Sequence, residues 1–98
     1  MNLLALFRKL LNIVEPRSDL HFMLYTRSGC HLCETAWEEL TKARQRYGFT
    51  LEKRDVDTDS ELVARFGDAV PVVTVNGKVR FRGTVNPVLL SRLLQARG

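Results

Sequence analysis

Apolar residues recur along this chain with two periods, about 3.6 and about 2, and the switches between them mark out its elements. Leu3, Leu4, Phe7, Leu10, Leu11 and Val14 fall at helical spacing with Ala5, Arg8, Lys9 and Asn12 opposite, so residues 1–15 predict an amphipathic helix. Glu15-Pro16-Arg17-Ser18-Asp19 interrupts it, because proline cannot continue a helix and disfavours helical geometry at the residue before it. Residues 16–19 therefore read as a linker, with the main domain over 20–98.

Residues 20–25 are almost all apolar or aromatic, the pattern of a strand buried on both faces. A helix is predicted over 31–47, with Leu32, Ala36, Leu40 and Ala43 on one face, Trp37 as a packing residue and Gly48 as C-terminal cap. Residues 50–56 read as a second strand, made parallel to the first by the helical, right-handed crossover. Asp57-Thr58-Asp59-Ser60 supplies turn and cap chemistry for a short helix over 61–66. Two β-rich runs, 69–75 and 78–81, flank Asn76-Gly77, a strong hairpin signal, with Pro71 at a strand entrance where a missing N–H is tolerated. Asn86 caps a last helix opened by Pro87; Val88, Leu89, Leu90, Leu93 and Leu94 give its apolar face, and Arg92 and Arg97 suit the negative end of its dipole. The order, a helix and then β-α-β-α-β-β-α, predicts an α/β fold: a four-stranded mixed sheet flanked by helices, plus the N-terminal amphipathic helix.

Ninety-eight residues allow one domain with a modest core, and 45% hydrophobic with 27% charged residues is an ordinary globular composition, not a disordered one. The net charge of +4 would suit anionic partners, but the Lys and Arg residues are scattered without interleaved aromatics, so no nucleic-acid partner is expected. The first 15 residues are no secretory signal, since Arg8 and Lys9 interrupt the apolar run and no small-residue cleavage site follows. They also fall far short of the ~20 apolar residues that span a bilayer, so no membrane-spanning segment is expected. Their apolar face is expected to pack on the domain or on a second copy, a route to self-association or partner docking, with interfacial membrane attachment and a flexible tail as the alternatives. Asp55, Asp57 and Asp59 lack the glycine and later glutamate of a calcium-binding loop and read as a solvated turn.

The chemistry lies in Tyr25-Thr26-Arg27-Ser28-Gly29-Cys30-His31-Leu32-Cys33, which runs from a strand through a loop into a helix and holds both cysteines. This spacing places Cys30 at the helix mouth and Cys33 about one turn further in, so the sulfurs can face each other and switch between dithiol and disulfide. Unpaired N–H groups and the positive end of the macrodipole lower a thiol pKa. Cys30 is thus the candidate nucleophile, with positive potential from Arg27 and protonated His31, and the less exposed Cys33 the candidate resolving thiol. A single close pair of this kind suits a reducing cytoplasm. Cys30, Cys33, His31 and His21 offer no second ligand pair, so no metal site is expected within one chain. The alternatives are a zinc ion or iron–sulfur cluster shared between chains, and a redox-inactive adaptor that keeps the fold.

That run, Val70-Pro71 before an apolar strand, the Asn76-Gly77 hairpin and Gly83 together resemble a glutaredoxin of the thioredoxin superfamily, over residues 20 to about 95. More narrowly, the chain is similar to small bacterial glutaredoxin-like proteins with a Cys-His-Leu-Cys site. The resemblance implies a thioredoxin/glutaredoxin-like fold and a thiol–disulfide oxidoreductase, with Cys30 as nucleophile and Cys33 as resolving cysteine. It makes Pro71 the family's cis-proline and Val70 the residue whose backbone groups pair with the substrate's. Arg27, His31, Val70, Pro71, Arg82 and Gly83 are the candidate substrate-binding residues. No tightly bound cofactor is implied; glutathione is the implied co-substrate, and the implied partner is a disulfide-containing protein or a glutathione mixed disulfide. Two departures stand out. His31-Leu32 replaces the usual Pro-Tyr between the cysteines, and Arg82-Gly83-Thr84-Val85-Asn86 replaces a Gly-Gly pair followed by acidic residues. Arg82 and the helix start at Asn86 are left to receive a carboxylate.

Overall fold

The computed structural model describes Leu3 and residues 15–96. The helix expected over residues 1–15 falls outside the described residues except for Leu3 and Glu15, as does Arg97. Four strands, β1 (His21–Thr26), β2 (Thr50–Asp55), β3 (Val72–Val75) and β4 (Lys78–Arg82), form one sheet in the order β2-β1-β3-β4. β1 and β2 are parallel and the other neighbours antiparallel, so the sheet is mixed, as the element order predicts. Among residues 15–96, three helices flank it: α1 (His31–Tyr47), α2 (Ser60–Phe66) and α3 (Pro87–Gln95). Among the described residues no helix is long and apolar enough to cross a membrane.

The sheet divides the core in two. Phe22, Leu24, Val73 and Val75 meet Ala36 and Leu40 of α1 and Leu90 and Leu94 of α3 on one face. Val72 meets Val56, Leu62 and Phe66 on the other. Fully burying each large apolar side chain stabilises the fold by roughly 1.5–3 kcal/mol, so these clusters, not the turns, hold the sheet together. Phe22 and Leu24 are wholly buried while His21, Met23 and Tyr25 are only half-buried. β1 is therefore not covered equally on both faces, because the helix on its second side, α2, has seven residues against seventeen in α1.

Several local expectations are corrected. Leu32 is 49% exposed, and the buried stripe of α1 is Cys33, Ala36, Leu40 and Tyr47. Val88 and Leu89 also remain exposed, because Leu90 and Leu94, one turn apart, are the α3 residues that reach the sheet. β2 stops at Asp55: its carboxylate accepts the Asp57 N–H and turns the chain into a 3-10 turn, Val56–Thr58, which drops Val56 into the second core. Within residues 16–19, Arg17 bonds to the domain. The Arg17 N–H bonds the Tyr47 carbonyl, and its buried guanidinium donates to the carbonyls of Leu94 and Ala96 and to Asp19. A cation at the C-terminal end of α3 meets the negative end of that helix. The hairpin forms at Asn76-Gly77, both with positive φ (51° and 84°), which is the two-residue turn whose twist matches the strands.

Candidate active site

Strand register gathers the candidate residues at one end of the sheet. Tyr25 pairs with Val72 and Val72 with Arg82, forming one row across three strands. The chain beyond that row, residues 26–30, Val70-Pro71 and Gly83, lies at the same sheet end. The Val70-Pro71 peptide is cis, and the Pro71 carbonyl accepts the Gly83 N–H at 2.9 Å. Pro71 is buried, Val70 and Gly83 are half-buried, and Arg82 is exposed. His31 projects into solvent, its Nδ1 3.7 Å from a Glu34 carboxylate oxygen.

The cysteine pair is set by a turn and a cap. The Cys30 N–H bonds the Arg27 carbonyl at 3.2 Å, closing a turn in which Gly29 takes φ 77°, a conformation that side chains disfavour. Cys30, with extended backbone, is the N-cap of α1, and its Sγ accepts the Cys33 N–H at 3.2 Å. The sulfur thus occupies the place of a capping oxygen, receiving a donor that the helix cannot satisfy internally. Cys30 and Cys33 are joined in a disulfide with Cα atoms 5.2 Å apart. Cys30 is half-buried, whereas Cys33 is only 3% exposed, so the two residues differ in burial.

Arg27 is engaged within the protein. Its Nε and Nη2 fork onto Asp57 at 3.0 and 2.9 Å, and its Nη1 donates to the Gly67 carbonyl at 3.1 Å. Hydrogen bonding to Asp57 raises the Arg27 pKa, and the same bond holds the Asp57 carboxyl below its ordinary range. Gly67 leaves no space for a side chain, since a Cβ there would lie 2.6 Å from the Val63 carbonyl oxygen. One guanidinium therefore ties the active-site turn to the segment after β2 and to the end of α2. Asp57 and Gly67 lie outside the candidate site residues of the sequence. The usable signal was the parallel pairing of β1 with β2, which sets Thr26 opposite Asp55 and brings Asp57 within reach.

A cleft of 480 Å³ opens beside the disulfide, lined by the 26–30 loop, Cys33, Glu34, Trp37, Glu38 and Lys53. Trp37 packs on the core, as expected, and also faces this cleft, with the Lys53 ammonium 4.6 Å from its ring centroid. His31, Val70, Pro71, Arg82 and Gly83 are not among its lining residues. At the start of α3, the Asn86 side chain already accepts the N–H groups of Val88 and Leu89, the donors that a ligand carboxylate would use there.

The model of a glutaredoxin-like domain (DUF836) matches residues 21–95. An uncharacterised protein of Mycobacterium tuberculosis is 37% identical over an alignment of 60 positions that covers 56% of this chain; the chain spans 62% of that relative's length. A probable thioredoxin of Methanothermobacter thermautotrophicus is 35% identical over an alignment of 63 positions that covers 61% of this chain and 74% of that protein. Among solved structures, a protein of Nitrosomonas europaea is similar with a TM-score of 0.69 and 26% identity, covering 78% of this chain and 92% of that one. Oxidised mitochondrial thioredoxin 3 of Saccharomyces cerevisiae shares the fold, with a TM-score of 0.60, 22% identity, and 94% and 88% of the two chains covered. The family match runs from the first residue of β1 to the last of α3 and includes both cysteines. The chain belongs to the glutaredoxin-like family of the thioredoxin superfamily, with a redox-type cysteine pair at the head of its first described helix.

Proposed function

We propose that this protein is a thiol–disulfide oxidoreductase in which Cys30 is the nucleophile and Cys33 resolves. The observation that carries this is the N-cap position of half-buried Cys30, whose Sγ accepts the Cys33 N–H, next to a Cys33 that is only 3% exposed. In the reduced protein the same donor and the helix dipole stabilise a Cys30 thiolate. That thiolate attacks one sulfur of a substrate disulfide, forming a mixed disulfide and expelling the other sulfur as a thiolate that takes a proton from water. Cys33, deprotonated, then attacks Cys30 Sγ, closing the internal disulfide and releasing the second substrate thiol. Two electrons pass from the dithiol to the substrate.

The substrate is a protein disulfide or a glutathione mixed disulfide. Val70 offers its backbone groups to the substrate's, held by the cis peptide to buried Pro71, whose carbonyl accepts the Gly83 N–H, with His31 and Arg82 as exposed polar contacts. Glutathione, or another thiol of a reducing cytoplasm, returns Cys30 and Cys33 to the dithiol. The similarity to a probable thioredoxin and the family match support this reading.

The test is reduction of bis-hydroxyethyl disulfide and of a glutathione mixed disulfide by the full chain and two variants. Cys30→Ser is expected to abolish both activities; full activity in it would overturn the assignment. Cys33→Ser separates the routes: glutathione acts as resolving thiol if this variant keeps its activity on the glutathione mixed disulfide, and Cys33 is obligatory if that activity is lost.

A further inference from the structure

We propose that the cleft beside the disulfide binds the zwitterionic amino-acid end of a small disulfide of the cystine class. The proposal rests on the redox reading above and adds a further substrate class to those named there. In such a disulfide each sulfur stands one methylene from a carbon bearing both an ammonium and a carboxylate. A molecule with its sulfur at Cys30 therefore carries both charges into the cleft that this cysteine lines.

What lies there has both complementary charges. Lys53 of β2 contributes a cation on one wall, and Glu34 and Glu38, four residues apart and so on one face of α1, contribute two carboxylates on the other. The Lys53 ammonium is held over the Trp37 ring, not by a carboxylate. Among the described residues no ion pair engages Lys53 or Glu38, and Glu34 has only the 3.7 Å contact with exposed His31. The remaining lining cation, Arg27, is neutralised by Asp57. A volume of 480 Å³ lies within the range of small-molecule sites. A protein disulfide brings no such charges, because its α-amino and α-carboxyl groups are in peptide bonds.

In this exchange the Cys30 thiolate attacks one sulfur of cystine and expels one cysteine thiolate, which is protonated from water. Attack by the Cys33 thiolate on Cys30 then releases the second cysteine, so the dithiol is oxidised and one cystine is reduced to two cysteines. A dithiol reductant such as dithiothreitol restores the protein for the next turnover.

The experiment compares KM for four disulfides: cystine, cystamine, which lacks the carboxylates, dithiodipropionate, which lacks the ammonium groups, and the neutral bis-hydroxyethyl disulfide. Wild type, Lys53→Gln and the double variant Glu34→Gln/Glu38→Gln are assayed, with each KM taken as a ratio to that of the neutral disulfide in the same variant. The Lys53 variant is expected to raise the dithiodipropionate ratio about fivefold, and the glutamate variant the cystamine ratio about fivefold, as loss of one exposed charge contact would. Both are expected to raise the cystine ratio. Unchanged ratios in either variant, or a wild-type KM for cystine no lower than for the neutral disulfide, would overturn the site. Failure of wild type to reduce the neutral disulfide would instead overturn the redox reading on which it stands.

Discussion

Arg27 directs its guanidinium at Asp57 and at the Gly67 carbonyl, so what it gives the cysteine site through its side chain is geometry. A lysine in its place keeps the charge but cannot make the two-pronged contact. Arg27→Lys and Asp57→Asn are both expected to lower kcat for a neutral disulfide more than they change its KM, which steady-state kinetics would show. The ion pair also sets a pH dependence. The folded-state pKa of Asp57 lies below its unfolded value of about 3.9, so the pair's contribution is present above that pH and is lost as pH falls through the lowered pKa. The urea midpoint of wild type should therefore exceed that of Asp57→Asn by a constant amount near neutral pH, and the gap should close in acid. Arg17 is a second residue whose role its neighbours in sequence conceal. Arg17→Met leaves the Leu94 and Ala96 carbonyls without their donor and is expected to cost about 2–3 kcal/mol in urea unfolding.

Each helix is specified by its ends as much as by its apolar stripe. The α3 cap at Asn86 and Pro87 was legible because those residue types have one favoured place, the start of a helix. Asn86→Ala, which frees the N–H groups of Val88 and Leu89, is expected to cost about 1 kcal/mol in the same unfolding measurement. The stripe of α1 was legible as a period but not in phase. Leu32 and Cys33 are adjacent, and periodicity alone does not say which of them turns inward; with Cys30 as the cap, the buried stripe starts at Cys33. Likewise the apolar face of α3 is wider than the surface available to cover it, which leaves Val88 and Leu89 in water. Leu40, wholly buried where α1 crosses the sheet, is the element-scale test of the core: Leu40→Ala is expected to cost about 2–5 kcal/mol by urea unfolding, against little for Leu32→Ala.

Across the whole molecule, the sheet order followed from local signals: a helical crossover makes β1 and β2 parallel, and Asn76-Gly77 makes β3 and β4 a hairpin. Contacts between segments far apart in sequence did not follow from those signals. Arg27 with Asp57, Trp37 with Lys53, and Arg17 with the end of α3 each join elements that only the finished register brings together. The cysteine pair was legible because its geometry is contained in four residues, whereas the cleft beside it is built from the β1–α1 loop, a helix face and one residue of β2. All of the chemistry argued above requires that Cys30 be the accessible, acidified sulfur of the reduced protein. Alkylation of the reduced chain across pH, with the modified cysteine identified by mass spectrometry, measures this directly. The account predicts that Cys30 is labelled first, with a midpoint below the ~8.5 of an unperturbed thiol; labelling at Cys33 first, or a Cys30 midpoint at or above that value, would contradict it.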